Sequence, residues 1–265
     1  MDFLYFGYGS NMDARSLLAK GVQPLASCPA QLAGWRLRFN VRHFFAHEGG
    51  VGNIVPGAAA DRVCGVLHRC PRDSLALLDI AEAYPQGYDR IELDVLTADG
   101  PRRALAYVGT PAFVDETCLP TRRYLNILLQ GAQAAGLDAD YVQRLAAQPV
   151  LARTPAPRFV HPPGEWPLID AAALAGQPTW TALDDAVFDM ADARWQHRLL
   201  WPHYGGRDMT LHHLRRLDGA SGIEDLDVLD APSPAQRQYL DDYLHGYAAE
   251  YRYVGRFRRE RSSPV

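Results

Sequence analysis

Lysine is all but missing from this chain: of 27 basic side chains, only Lys20 is not an arginine. The imbalance reads as coding bias rather than as chemistry. A basic excess is missing too. Net charge is −4, and the halves 1–150 and 151–265 carry 14 basic against 15 acidic and 13 against 16 side chains. Neither half has the cationic footprint of a nucleic-acid binder. Nowhere do 18 apolar residues run together, so no membrane span is expected. The opening MDFLYFGYGSNM lacks a basic n-region, and its apolar run is short for a signal peptide, which makes the cytoplasm the expected location. There are four cysteines (Cys28, Cys64, Cys70, Cys118) and no CxxC pair, so neither a zinc site nor a redox motif is supported. Buried, reduced thiols are the default.

What is present is an ordinary globular composition, 48% apolar and 22% charged, over 265 residues. Residues 3–8 read as a buried strand ending at Gly9-Ser10-Asn11, with Asn11 or Asp13 free to cap a helix over 13–19. Residues 31–45 suggest one or two strands, and Val63–His68 another. Asp73 stands where a helix N-cap belongs, and Leu75, Leu78 and Glu82 share one helical face. In 89–96, Ile91, Leu93 and Val95 alternate with Arg90, Glu92 and Asp94. Asp99-Gly100 reads as a hairpin turn into a strand near 103–109. Thr121 can cap a helix carrying Tyr124, Leu125, Leu128 and Ala132, stopped at Gly136. A short helix over 138–147 follows. Strands early and helices late predict an α+β fold: a mostly antiparallel β-barrel or sheet with flanking helices, plus a smaller C-terminal α+β unit. The expected domains are 1–148, a proline-rich segment 149–167 (linker or extended wrap, six prolines), and an accessory unit 168–265.

Two features carry chemistry. Glu82 is an acid on an apolar helical stripe. Burial without a cationic partner would raise its pKa toward the range of a general acid/base, whereas a solvated Glu at a fraying helix end is the plainer reading. The segment Tyr5-Phe6-Gly7-Tyr8-Gly9-Ser10-Asn11-Met12 could aim consecutive N–H groups at a carboxylate or oxyanion, or could simply be a turn that needs Gly and Asn.

Taken together and in order, these segments resemble the γ-glutamylcyclotransferase family over about residues 3–147. The carrying motifs are Tyr8-Gly9-Ser10-Asn11-Met12, the run Gly65-Val66-Leu67-His68 followed by LALLDIAEAYPQGYDRIEL, then Gly87-Tyr88, and Tyr124 in LPTRRYLNILLQGAQAAGL. GGVGNIVPGAAADRVCGVLHR is similar to bacterial members. Gly7 stands where Ala is common, and one residue is missing before Gly87-Tyr88 relative to some animal members. The resemblance implies a cyclotransferase-like fold. It also implies an intramolecular aminolysis that releases 5-oxoproline from a γ-glutamyl amide, with Glu82 as general acid/base. Tyr8, Gly9, Ser10, Asn11, Met12, Tyr88 and Tyr124 would bind the substrate. It implies no cofactor and no metal. The partner would be a small γ-glutamyl compound, neither nucleic acid nor membrane, and the chain could form a homodimer. Asn11, where the glutathione-specific branch has Leu, argues for γ-glutamyl amino acids or amines.

His43, His47 and Glu48 invite a metal hypothesis, but their spacing is not HExxH. Residues 176–213 resemble cytochrome b5-like haem- or steroid-binding domains through Val187-Phe188-Asp189-Met190 and Gly206-Arg207-Asp208-Met209-Thr210, with His203 as the implied ligand. The different-class alternative is a non-catalytic binding or regulatory protein on the same fold, with a small-molecule- or haem-binding C-terminal unit. Arg252–Arg261 reads as a solvated basic tail.

Overall fold

The computed structural model describes residues 2–220, 229 and 231–259, and divides the chain into two units, Met1–Ala152 and Arg153–Val265. In the first, strands β1 (Asp2–Gly7), β2 (Ala26–Ala33), β5 (Arg62–Pro71), β6 (Tyr88–Thr97) and β7 (Gly100–Gly109) close a barrel in the order β1-β5-β2-β6-β7. All neighbours are antiparallel except the closing pair, where Tyr5 meets Leu105 in parallel. β3 (Trp35–Arg42) and β4 (Gly50–Pro56) form a separate ribbon. The helices are α1 (Ala14–Leu18), α2 (Ser74–Ala81), α3 (Arg122–Ala134) and α4 (Ala139–Ala146). The expected α+β fold is therefore present, as a closed barrel with flanking helices.

The alternation in β6 does what its period demands: Val95 is buried and Ile91 and Leu93 half-buried, while Glu92 and Asp94 are exposed. β5 is buried on both faces, which explains its continuous run VCGVLH. Val63 and Leu67 join Phe6, Tyr8, Ala30 and Leu32 in one core, while Cys64 and Val66 pack with Met12, Tyr124, Leu125 and Leu128 in another. Asp13 caps α1 by accepting from the Arg15 N–H at 2.9 Å, and Thr121 caps α3 through the Tyr124 N–H at 3.2 Å. Asp73 holds the N-cap position of α2 without a side-chain cap bond. The β6–β7 turn is Ala98-Asp99, because Thr97 already pairs with Gly100. Cys28 is exposed, against the expectation of buried thiols; Cys64 and Cys70 are buried.

In the second unit, β8 (Leu168–Ile169), β9 (Trp180–Leu183), β10 (Ala186–Asp189), β11 (Arg207–Asp208) and β12 (Arg252–Phe257) make a mixed sheet in the order β11-β9-β10-β12-β8. Its helices are α5 (Ala171–Ala175), α6 (Trp195–Arg198), α7 (Trp201–Tyr204), α8 (Thr210–Leu214) and the long α9 (Pro234–Glu250). Residues 153–167 run along this unit as an extended wrap. The Ala156 N–H donates to Asp242 and the Phe159 N–H to Asp241, both on α9, and the Phe159 ring faces Phe188. The segment 252–257 is a strand, not a solvated tail. Arg259 binds Asp208 at 2.8 Å, and Arg261 lies outside the described residues.

One glycine decides how closely a helix approaches the Tyr8–Met12 segment. A Cβ on Gly131 of α3 would lie 2.6 Å from the Asp13 nitrogen and 2.7 Å from the Met12 carbonyl carbon. Alanine gains about 1 kcal/mol of helix propensity over glycine. Overpacking against backbone costs about 1–3 kcal/mol. Gly131→Ala is therefore expected to lower the urea midpoint; an unchanged or raised midpoint would show that the loop can move aside.

Candidate functional site

Glu82 is the C-cap of α2, where the chain leaves the helix through Ala83 at φ +50°. The Tyr88 N–H bonds back to the Glu82 carbonyl at 3.2 Å, so β6 starts beside the end of α2. Ser10–Met12 form a single 3-10 turn between β1 and α1. Across the barrel mouth, Tyr5, Tyr8, Gly9, Ser10, Asn11, Gly52, Glu82, Tyr88, Tyr107 and Tyr124 line one cleft.

Of the residues singled out by sequence, Glu82, Tyr8, Gly9, Ser10, Asn11, Tyr88 and Tyr124 come together there. Met12 does not. Its N–H is spent on the Gly9 carbonyl at 3.0 Å, and its side chain is buried against α3 and α4. The turn geometry that exposes Gly9 to Asn11 points the next side chain into the core. Tyr107 and Gly52 were not among the expected site residues, and Tyr5 stood only within the strand leading into the turn. Period-2 alternation from Gly7 could have found Tyr5; Tyr107 and Gly52 reach the cleft only because the barrel closes and β4 crosses its mouth.

The polar contacts are specific. The Asn11 Nδ2 donates to the Tyr5 hydroxyl at 2.6 Å and to Glu82 Oε1 at 3.0 Å. The Lys20 ammonium donates to Asn11 Oδ1 at 2.5 Å and to Glu82 Oε1 at 3.1 Å. These two charged side chains are only 7% and 14% exposed. Glu82 is thus not an acid buried without a cationic partner, as the helical stripe had suggested. Tyr88 donates to the Gly52 carbonyl at 2.7 Å, and Tyr124 accepts from the Gly52 N–H at 2.9 Å. A Cβ on Gly52 would stand 3.0 Å from the Tyr124 hydroxyl and 3.5 Å from Gly9 Cα, so only glycine gives this approach without displacement. Tyr8 donates to the Tyr107 carbonyl, and Tyr107 in turn donates to Asp79 at 2.8 Å.

Burial, helped by the Glu82 charge, raises the pKa of Tyr5, Tyr8, Tyr88, Tyr107 and Tyr124, so all five hydroxyls keep their protons at neutral pH. At Tyr124, hydrogen bonds from Gly52 and Ser10 oppose that rise. Its oxygen accepts the Gly52 N–H at 2.9 Å.

Behind the turn, His68 bonds the Asn11 carbonyl through Nε2 at 2.9 Å and Ser27 through Nδ1 at 2.8 Å. Burial drives its pKa down to about 4, against the opposing pull of the Asn11 carbonyl. Nε2 must therefore carry the proton, and Nδ1 accepts from the serine.

In the His43–Glu48 segment the Glu48 carboxylate is paired with Arg123. Burial alone would raise the Glu48 pKa, but the bonded Arg123 guanidinium, with His43 and His47 beside it, holds the carboxyl well below its usual range. Among the described residues no group of three His, Cys, Asp or Glu side chains is arranged to hold a metal ion. In the second unit, His203 sits on α7 with Nε2 3.2 Å from His212, and burial lowers its pKa to about 4. No helix among the described residues is long and apolar enough to cross a membrane.

Residues 62–145 match the AIG2-like family. γ-Glutamylcyclotransferases of Mus musculus and Homo sapiens are each 29% identical over 150 residues, covering 55% of this chain and 78% of theirs. A solved γ-glutamyl cyclotransferase superposes with TM-score 0.52 at 27% identity, covering 58% of this chain and 92% of that one. An uncharacterized protein from Homo sapiens gives 0.51 at 28%, covering 58% and 91%.

The neutral, buried His68 makes stability depend on pH. Unfolded histidine titrates near 6.5, whereas folded His68 resists protonation down to about 4. Between those values the unfolded chain binds more protons. The stability tied to neutral His68 is thus complete above 6.5 and falls with pH to about 4, a loss of roughly 3 kcal/mol. His203 titrates over the same window. His68→Gln should therefore lower, by about one, the protons taken up on unfolding, read from the pH dependence of urea denaturation. An unaltered uptake would mean that His68 is already protonated in the fold.

Proposed function

Because the chain belongs through its first unit to the AIG2-like, γ-glutamylcyclotransferase-like family, we propose that it cyclises a γ-glutamyl amide to 5-oxoproline and a free amine, with Glu82 as general acid/base. The observation that carries this reading is the convergence of Glu82, the Gly9–Asn11 turn and Tyr124 on one cleft.

The substrate's α-amine attacks its own γ-carbonyl. The nucleophile is tethered, so much of the entropic barrier is met by holding one conformer. The α-ammonium loses one proton to Glu82, and the new N–C bond closes a five-membered ring. The carbonyl oxygen becomes an oxyanion, for which the Tyr124 hydroxyl and the N–H groups of the turn are suited donors. Collapse expels the amide nitrogen. Two protons in all leave the α-nitrogen and both end on the departing amine, with Glu82 accepting and returning them. Water is neither consumed nor needed. Tyr88, whose proton is already given to Gly52, acts here by holding the β4 backbone at the cleft.

Glu82→Gln is nearly isosteric and keeps an acceptor for Asn11, so it should remain folded while kcat falls by about 10²–10⁴-fold. Tyr124→Phe should lose about 10-fold or more through its single donor. Both are read as 5-oxoproline by mass spectrometry over a panel of γ-glutamyl amino acids and amines. Undiminished release by folded Glu82→Gln would remove Glu82 from the chemistry. A wild-type protein that releases nothing across the panel would favour a non-catalytic binding protein.

A further inference from the structure

Lys20 is the chain's sole lysine, and it stands at the one carboxylate in the cleft. Its ammonium donates to Glu82 Oε1 and to Asn11 Oδ1, and Asn11 Nδ2 donates to the same Oε1. Both contacts on the Glu82 carboxylate fall on one oxygen; neither uses Oε2. We propose that Lys20 is the positioning residue of Glu82, anchoring Oε1 so that Oε2 is the oxygen left to take and return the proton. This rests on the cyclotransferase reading for the reaction itself, but the arrangement it assigns is independent of the substrate.

Lysine suits this task where arginine does not. An ammonium is a compact charge with three donors at tetrahedral angles, and here two of them reach two different acceptors. A guanidinium presents a planar fork that matches both oxygens of a carboxylate at once. At position 20 that fork would engage Oε2 as well, occupying the oxygen the reaction needs. It would also have to fit where lysine is already only 7% exposed. In a chain that uses arginine at every other basic position, this is the place where the difference between the two cations has a consequence.

The groups facing Glu82 leave the role to Lys20. Asn11 is neutral, and the tyrosines 5, 8, 88, 107 and 124 hold their protons because burial raises their pKa values. Asp79 lies beyond Tyr107 and is itself paired with Arg90 at 3.3 Å. Among the described residues, Lys20 is the cation in contact with Glu82.

Two measurements on the full chain test this. In the 5-oxoproline assay, Lys20→Met should lower kcat by about 10- to 100-fold, the size expected for losing a charge-assisted bond, with KM within about threefold. Lys20→Arg should not restore kcat. Undiminished kcat in Lys20→Met, or full recovery in Lys20→Arg, would overturn the assignment. The second measurement needs no turnover. Lysine labelled with 13C at Cε and 15N at Nζ gives a single side-chain signal. It should shift in Glu82→Gln and stay in place in Glu92→Gln, whose carboxylate is exposed on β6 and paired with Arg103. A Lys20 signal indifferent to Glu82→Gln would overturn the pair. Release of no 5-oxoproline by the wild type would sink the proposed reaction, and the labelled signal would still decide the pair.

Discussion

The side chain of Asn11 is where the cleft is tied together. Its amide can be oriented in only one way, because Oδ1 faces an ammonium and Nδ2 faces a carboxylate and a phenol. Through those bonds, and through its backbone carbonyl to His68, it joins β1, the residues after α1, the end of α2 and β5. Each is a different stretch of chain. Only with β1 and β5 paired, and α2 packed outside them, do Tyr5, Lys20, Glu82 and His68 come within reach of one residue. The closed barrel is what makes those distances hold at once.

Around this node the site is a shell of protonated phenols. Each tyrosine hydroxyl that lines the cleft has a protein partner, and most have given their proton away: Tyr8 to a backbone carbonyl, Tyr88 to another, Tyr107 to Asp79. Such a shell supplies dipoles without mobile charge, which suits a reaction whose charge appears only transiently on an oxyanion. Tyr5 and Tyr124 differ in that their oxygens accept, from Asn11 and from the Gly52 N–H. Tyr88 and Tyr124 thus hold Gly52 in opposite senses, one donating to its carbonyl and the other accepting from its N–H.

Much of the fold was legible because it follows short periods. The alternation of 91–95, the α3 stripe through Tyr124, Leu125 and Leu128, and the Thr121 cap are local, and local rules found them. The motif Tyr8–Asn11, Glu82, Tyr88 and Tyr124 was legible through family order rather than through any physical signal in one segment. What escaped is instructive in each case. Met12 belongs to the motif but turns its side chain to the core, since a 3-10 turn sends successive side chains in different directions. Lys20 is an unremarkable helix-end lysine until α2 is placed beside it. The proline-rich segment 153–167 has the same composition whether free or docked. Its partners, Asp241 and Asp242, lie on a helix some eighty residues later.

The Lys20–Glu82 pair is best understood by asking whether it stabilises the fold. At 3.1 Å and an effective dielectric near 20, the attraction is about 5 kcal/mol. Removing two ions from water costs several kcal/mol for each, even after relaxation. With both side chains almost out of solvent, gain and cost nearly cancel, and a well-packed apolar pair would serve stability as well. The exposed pairs of the barrel, such as Arg103 with Glu92 and Asp94, contribute little either, since solvent screens them. The stability of this unit is held instead by its three apolar clusters. A buried ion pair whose gain and cost are of similar size, and whose carboxylate lines the cleft, fits the role proposed for it, setting the direction in which Glu82 presents its second oxygen.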